Sequence, residues 1–305
     1  MSADPGPHPD PPPSSTGEGT AAARPLKAPL AEGGGGLGGG PTRPFPSNIP
    51  PRSPILLRFF GRVMAHAMRR AFHAVRLARP GWPELPADRP AIVCLNHPSW
   101  WDPAFLIVMA TTGFRDRPGY GPIDVAGLAR YPFLGRIGLF GIEPTGARGA
   151  ATFLRTAGAI LEHPDAMLWV TAEGAFTDPR RRPVVLRPGL AHLVRRTPRA
   201  VVVPLALEYP FWNERTPEAL ARFGTPLDAA RFEGRRAGAV NARLTRALEE
   251  TMDALAGDAL SRDPERFLRV VGGTVGVGGV YDLWRRGRAW ATGRPFQPGH
   301  GEPER

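Results

Sequence analysis

The sequence predicts an α/β domain, and three observations carry that expectation. Short apolar runs at 91–95, 166–171 and 201–205 alternate with helical stretches at about 100–110, 148–161 and 241–255. That is the order of strands and helices packed in layers around one core. A chain of 305 residues with 42% hydrophobic content is long enough to bury such a core. The single cysteine, Cys94, excludes an internal disulfide framework, and no apolar stretch reaches the roughly 18 residues a spanning helix needs.

Taken in order, residues 1–53 are rich in Pro, Gly, Ser and Ala, with glycines at 33–36 and 38–40. Such a segment cannot bury enough apolar surface to order itself, and a disordered tail is expected. No charged start leads into an apolar run, so no secretory signal is expected. Residues 54–80 read as a basic amphipathic helix. Arg58, Arg62, Arg69 and Arg76 fall on one stripe, Leu56, Phe59, Phe60, Val63 and Ala67 lie on the other side, and no acidic residue interrupts. Its apolar face fits either a membrane headgroup region or the neighbouring domain. A folded domain is expected over 81–260. The extension at 261–305 combines a Gly- and Val-rich run at 272–279 with Trp284, Trp290, Arg285, Arg286 and Arg288, a mixture suited to an interfacial anchor.

Within the domain, Ala91-Ile92-Val93-Cys94-Leu95 reads as a buried strand that ends at Asn96-His97-Pro98-Ser99-Trp100-Trp101-Asp102. If His97 sits at the strand-to-helix turn and Asp102 in the first helical turn, the carboxylate folds back onto one imidazole nitrogen. The other nitrogen is then free to take a proton from a hydroxyl. In isolation the same spacing also fits a satisfied turn histidine and a helix N-terminal charge.

The Asn-His…Asp block resembles the first block of the lysophospholipid acyltransferase superfamily, the 1-acyl-glycerol-3-phosphate and glycerol-3-phosphate acyltransferases. Further blocks follow in that family's order. Gly138-Leu139-Phe140-Gly141-Ile142-Glu143 resembles the second, and Leu168-Trp169-Val170-Thr171-Ala172-Glu173-Gly174 the third. Arg187-Pro188-Gly189-Leu190-Ala191 is similar to the basic-Pro-Gly helix start, and Val201-Val202-Val203-Pro204-Leu205 to the fourth. The resemblance implies a mixed β-sheet flanked by helices, of the glycerol-3-phosphate acyltransferase type, with the blocks converging at one end of the sheet.

It also implies the chemistry. His97, oriented by Asp102, would deprotonate an acceptor hydroxyl that attacks the thioester of acyl-CoA or acyl carrier protein. Asn96, Glu173, Gly174, Arg148 and Arg187 are the expected substrate-binding residues. No metal or resident cofactor is expected, because the seven histidines are dispersed and Cys94 stands alone. The sequence departs from the family's pattern at three places. Pro144 follows the second block where an Arg is usual, Ala172 replaces a Pro, and Ala175-Phe176 stand where Thr-Arg is common. These departures leave open an acceptor without phosphate, such as a glycolipid or a carotenoid glycoside, beside a lysophospholipid.

The formal charge of +11 calls for a polyanionic partner. An anionic membrane surface is the expected one. Nucleic acid is not, since no recognisable module interleaves aromatic and basic residues. The reading is of a cytoplasmic protein, peripheral on the inner face of the cell membrane. Lys27 is the only lysine, and the Arg-, Ala-, Gly- and Pro-rich composition suggests a bacterium of high genomic GC. A non-catalytic protein of the membrane surface remains the rival outside the enzymes.

Overall fold

The computed structural model describes residues 49–273 and 288. Among them a nine-stranded mixed sheet runs in the order β4-β3-β5-β2-β6-β7-β1-β9, with β8 beside the start of β6. The first five strands in this order are parallel: β4 (Leu139–Ile142), β3 (Gly119–Asp124), β5 (Met167–Thr171), β2 (Ala91–Leu95) and β6 (Val201–Glu208). β7 (Glu218–Phe223) runs antiparallel to β6, β1 (Ala74–Ala78) parallel to β7, and β9 (Phe267–Gly272) antiparallel to β1. β8 (Leu227–Asp228) pairs antiparallel with Val201 and Val202. All five residues of β2 are buried, which is why its sequence is a continuous apolar run rather than an alternation.

Helices cover both faces. α1 (Pro54–Ala71) and α2 (Asp102–Gly113) lie over one, where Met68, Phe105, Val108 and Met109 join Val93, Leu95, Leu205 and Leu207 in a continuous core. On the other, α4 (Gly146–Leu161), α5 (Pro188–Arg196) and α6 (Ala237–Ser261) bring Phe153, Ile160, Leu190, Leu193, Leu244 and Leu248 against Ile92, Cys94, Leu168 and Val202. The short α3 (Val125–Arg130) and a 3-10 turn at Pro132–Ile137 lead into β4.

The N-terminal boundaries move. Ile49, inside the expected tail, is only 5% exposed. Ser53 then caps α1 by accepting a hydrogen bond from the Leu56 N–H, with Pro54 at the first helical position. The helix expected to reach residue 80 stops at Ala71. Residues 74–78 instead form β1, held by β7 on one side and β9 on the other. Arg76, assigned by periodicity to the basic helical stripe, is therefore buried, and its Nε donates to Glu218 at 2.9 Å. His73 Nδ1 lies 2.5 Å from the other oxygen of the same carboxylate. Glu218 comes from 142 residues further on, so helical spacing carried no sign of it.

α1 packs on α2 through a small-residue face: a Cβ on Gly61 would lie 2.7 Å from Thr111 Oγ1. The outward face keeps Ile55 and Phe59, which are 73% and 57% exposed. At the other end, β9 joins a sheet expected to close before residue 261. The Val280–Trp290 segment lies outside the described residues apart from Arg288, as does the tail up to residue 48. Among the described residues, no helix is long and apolar enough to cross a membrane.

Candidate active site

Parallel register sets the site. Leu95 pairs with Thr171 of β5 on one side and Leu205 of β6 on the other, so β2 and β5 end together while β6 runs on to Glu208, and the turn after β2 lies at the C-terminal edge of these strands. In parallel sheets this is the edge where functional loops converge. Asn96 is the first residue of that turn and is fully buried. Its side-chain amide donates to the Leu207 carbonyl at 3.0 Å and accepts from the Leu207 N–H at 2.8 Å. Both ends of the amide are thus committed to backbone, and Asn96 clamps β2 to β6 rather than facing a substrate.

His97 follows. Its Nδ1 lies 2.6 Å from Asp102 Oδ2, and Asp102, at the start of α2, has no exposed surface. The same Oδ2 accepts from the Ser99 N–H at 3.2 Å, while Oδ1 accepts from the Tyr209 hydroxyl at 2.7 Å. Both oxygens act as acceptors toward those two donors, so the proton shared with His97 is assigned to the imidazole Nδ1. Nε2 is then the proton acceptor. Burial, reinforced by the adjacent Asp102 charge and hydrogen bond, raises the Tyr209 phenol well above its ordinary pKa and keeps it a donor.

The turn is fastened from the β5 side as well. Glu173 Oε2 accepts the His97 backbone N–H at 3.1 Å, and the His97 carbonyl accepts from the Thr177 N–H at 2.9 Å. Glu173 is only 9% exposed, so the structure gives it a turn-holding contact. Gly174 has φ +66°, a left-handed conformation that favours glycine, and a Cβ there would lie 2.8 Å from Arg187 Nε. Arg187 precedes α5 and reaches back over these loops, its guanidinium 3.4 Å from the carbonyls of Glu173 and Pro144. Arg148 is 85% exposed beside Glu143 at 3.8 Å, and no described contact brings it to His97.

Phe176 and Tyr209 are the residues that motif reading left without a role. The Phe176 ring lies 4.3 Å from the His97 ring, tilted by 35°, and is 61% exposed. Tyr209 is one residue beyond β6, on the same alternating face as Leu205 and Leu207. That alternation was legible in the sequence, but the neighbouring strand was not. Cys94 is no rival nucleophile: burial, with the nearby Glu173 charge, pushes its thiol up to about 12. A pocket of about 220 Å³ lies beyond Leu207, between Arg180, Glu208 and α6, and its lining does not include His97.

The arrangement is a buried carboxylate and an oriented imidazole, and among the described residues no activated nucleophile is recorded in contact with them. A model of the acyltransferase family matches residues 81–208, a span that contains His97, Asp102, Glu173, Gly174 and Arg187. Among solved structures, the chain is similar to the 1-acyl-sn-glycerophosphate (LPA) acyltransferase PlsC from Thermotoga maritima. The identity is 17% and the TM-score 0.44, over 64% of this chain and 79% of that one. No curated protein matches the chain significantly. The matched span ends at Glu208, so Tyr209 reaches the dyad from just beyond it.

Proposed function

We propose that the protein transfers a fatty acyl group from acyl-CoA or acyl carrier protein to a lipid hydroxyl, with 1-acylglycerol-3-phosphate or another lysophospholipid as acceptor. The observation that carries this reading is the 2.6 Å contact between His97 Nδ1 and buried Asp102, within the span that a model of the acyltransferase family matches. Nε2 takes the acceptor's proton as its oxygen bonds to the thioester carbonyl carbon. The tetrahedral oxyanion collapses, the C–S bond breaks, and the departing thiolate takes the proton from the His97 imidazolium. Ester and free thiol are the products, and no covalent acyl-enzyme is needed. The reaction calls on no metal or resident cofactor, since the donor enters as a substrate.

Arg187, among the described residues in no ion pair with a carboxylate, is the guanidinium best placed for an acceptor phosphate. One observation favours a second reading. Phe176 covers the imidazole where an arginine is common in the family, which suits a neutral, ring-bearing acceptor such as a glycolipid or carotenoid glycoside. Thiol release from palmitoyl-CoA with each acceptor, and competition by glycerol phosphates, separates the two: inhibition supports the phosphate acceptor and indifference the neutral one.

The membrane reading rests on α1. Its outward face presents Ile55, Phe59 and Val63 beside the exposed Arg58 and Arg62. An anionic leaflet would favour each such arginine by about 1 kcal/mol. We therefore place the protein at the inner face of the cell membrane, where its lipid acceptor resides.

A further inference from the structure

We propose that Tyr209 is a positioning residue of the reaction, holding the Asp102 carboxylate in the orientation that presents Oδ2 to His97 and moderating the basicity of the imidazole. The proposal takes the acyl-transfer reading as its reaction. It stands on geometry the motif does not contain. Asp102 is fully buried, so water does not solvate Oδ1, and the hydroxyl of Tyr209 at 2.7 Å is the described donor to that oxygen. A carboxylate with one oxygen anchored cannot rotate about its Cβ–Cγ bond without losing that hydrogen bond. Oδ2 is thereby kept on the line to Nδ1 and to the Ser99 N–H.

The tyrosine is itself held in place. The rings of Phe72 and Phe105 stand 5.5 Å and 6.4 Å from its own. Its position along β6 is set by the Asn96 clamp on Leu207, two residues earlier and on the same strand face. The Asn-His pair that opens the motif thus has two tasks: His97 carries the proton, and Asn96 registers the strand that delivers Tyr209.

The effect on basicity has a definite sign. A hydrogen bond to Oδ1 stabilises the carboxylate and weakens its pull on the shared proton. Without the phenol, the less stabilised anion holds the imidazolium more firmly, and the imidazole titrates at higher pH. The other groups facing His97 are Glu173, at its backbone N–H, and Cys94 in the strand below. Asp178 follows Thr177 and is paired with Arg180, and Arg187 lies behind Glu173. None of these contacts Oδ1, so none substitutes for the phenol.

The test is an NMR titration of the His97 imidazole in the full chain, assigned by its loss in His97→Ala, alongside pH profiles of thiol release. Tyr209→Phe is expected to raise the imidazole pKa and the acid limb of kcat/KM by about one unit, and to lower the plateau kcat about tenfold. Encoded 3-fluorotyrosine at the same position, a stronger donor of nearly the same shape, is expected to shift both the opposite way. It also covers a Tyr209→Phe protein that does not fold. An imidazole pKa unmoved by either replacement overturns the proposal, even if stability falls, because a purely structural tyrosine would change stability alone. The titration needs neither donor nor acceptor. A shifted imidazole in a protein that releases no thiol would therefore uphold the positioning contact and remove acyl transfer, whereas an active enzyme with an unmoved imidazole would do the reverse.

Discussion

Replacing Asp102 by Asn tests the dyad at the atom that makes it work. The Asp102 carboxylate has no exposed surface and accepts three hydrogen bonds, from His97, Ser99 and Tyr209. An amide has the same shape but one acceptor oxygen and one donor NH2. If the oxygen stays with Tyr209, the NH2 faces Nδ1, which must then be the unprotonated nitrogen. Nε2 carries the hydrogen and can no longer take one. If instead the oxygen faces His97, the NH2 confronts the Tyr209 hydroxyl, and the imidazolium formed during the reaction loses its counter-charge. A wrong tautomer of this kind costs a hydrolytic triad about four orders of magnitude in kcat. The expectation here is a fall of about 10³- to 10⁴-fold, or about 4–5.5 kcal/mol of transition-state stabilisation. The assay is acceptor-dependent thiol release from palmitoyl-CoA, with circular dichroism to confirm the fold. Activity within about tenfold of the parent would refute the claim that Asp102 fixes the tautomer.

Two further predictions concern the frame around the site. Asn96→Ala strands the buried N–H and carbonyl of Leu207 and is expected to lower stability by about 2–4 kcal/mol, read as a reduced urea midpoint; an unchanged midpoint would mean that the clamp between β2 and β6 contributes nothing. Cys94, whose thiol rises from an ordinary 9.0 to about 12, should resist alkylation by iodoacetamide in the native protein at pH 8 and react on unfolding. Because the folded state holds that proton more tightly than the unfolded one, its contribution to stability is fully present below pH 9.0 and lost as the pH rises toward about 12. Rapid native labelling at pH 8 would show that the thiol is not held this way.

How much of this was legible in the sequence depends on the range of each interaction. β2 occupies 91–95 as its apolar run predicts, and His97 meets Asp102 because five residues of turn and helix start suffice to bring them together. β6 begins at Val201 for the same local reason, and α4 and α6 contain the helical stretches expected there. What escaped notice is long-range. Arg76 matched a helical stripe by spacing, yet its partner Glu218 becomes visible only once β1 lies beside β7. Asn96 looked like a ligand residue because it stands next to His97, and only the register of β2 against β6 shows both ends of its amide consumed. Tyr209 lies 107 residues from Asp102 and carries no motif of its own. Arg148 begins its helix much as expected, but a helix start says nothing about where a long side chain ends, and this one points into solvent.

The central claim is acyl transfer by His97, and the most direct measurement is thiol release from palmitoyl-CoA by purified protein. Lysophosphatidic acid, other lysolipids and a membrane-lipid extract would be offered in turn, beside His97→Ala. The account predicts release that requires an acceptor and vanishes in the variant, with acyl carrier protein as the alternative donor if the coenzyme A thioester is refused. Release that persists undiminished in a folded His97→Ala protein, or silence with every acceptor and both donors, would contradict it.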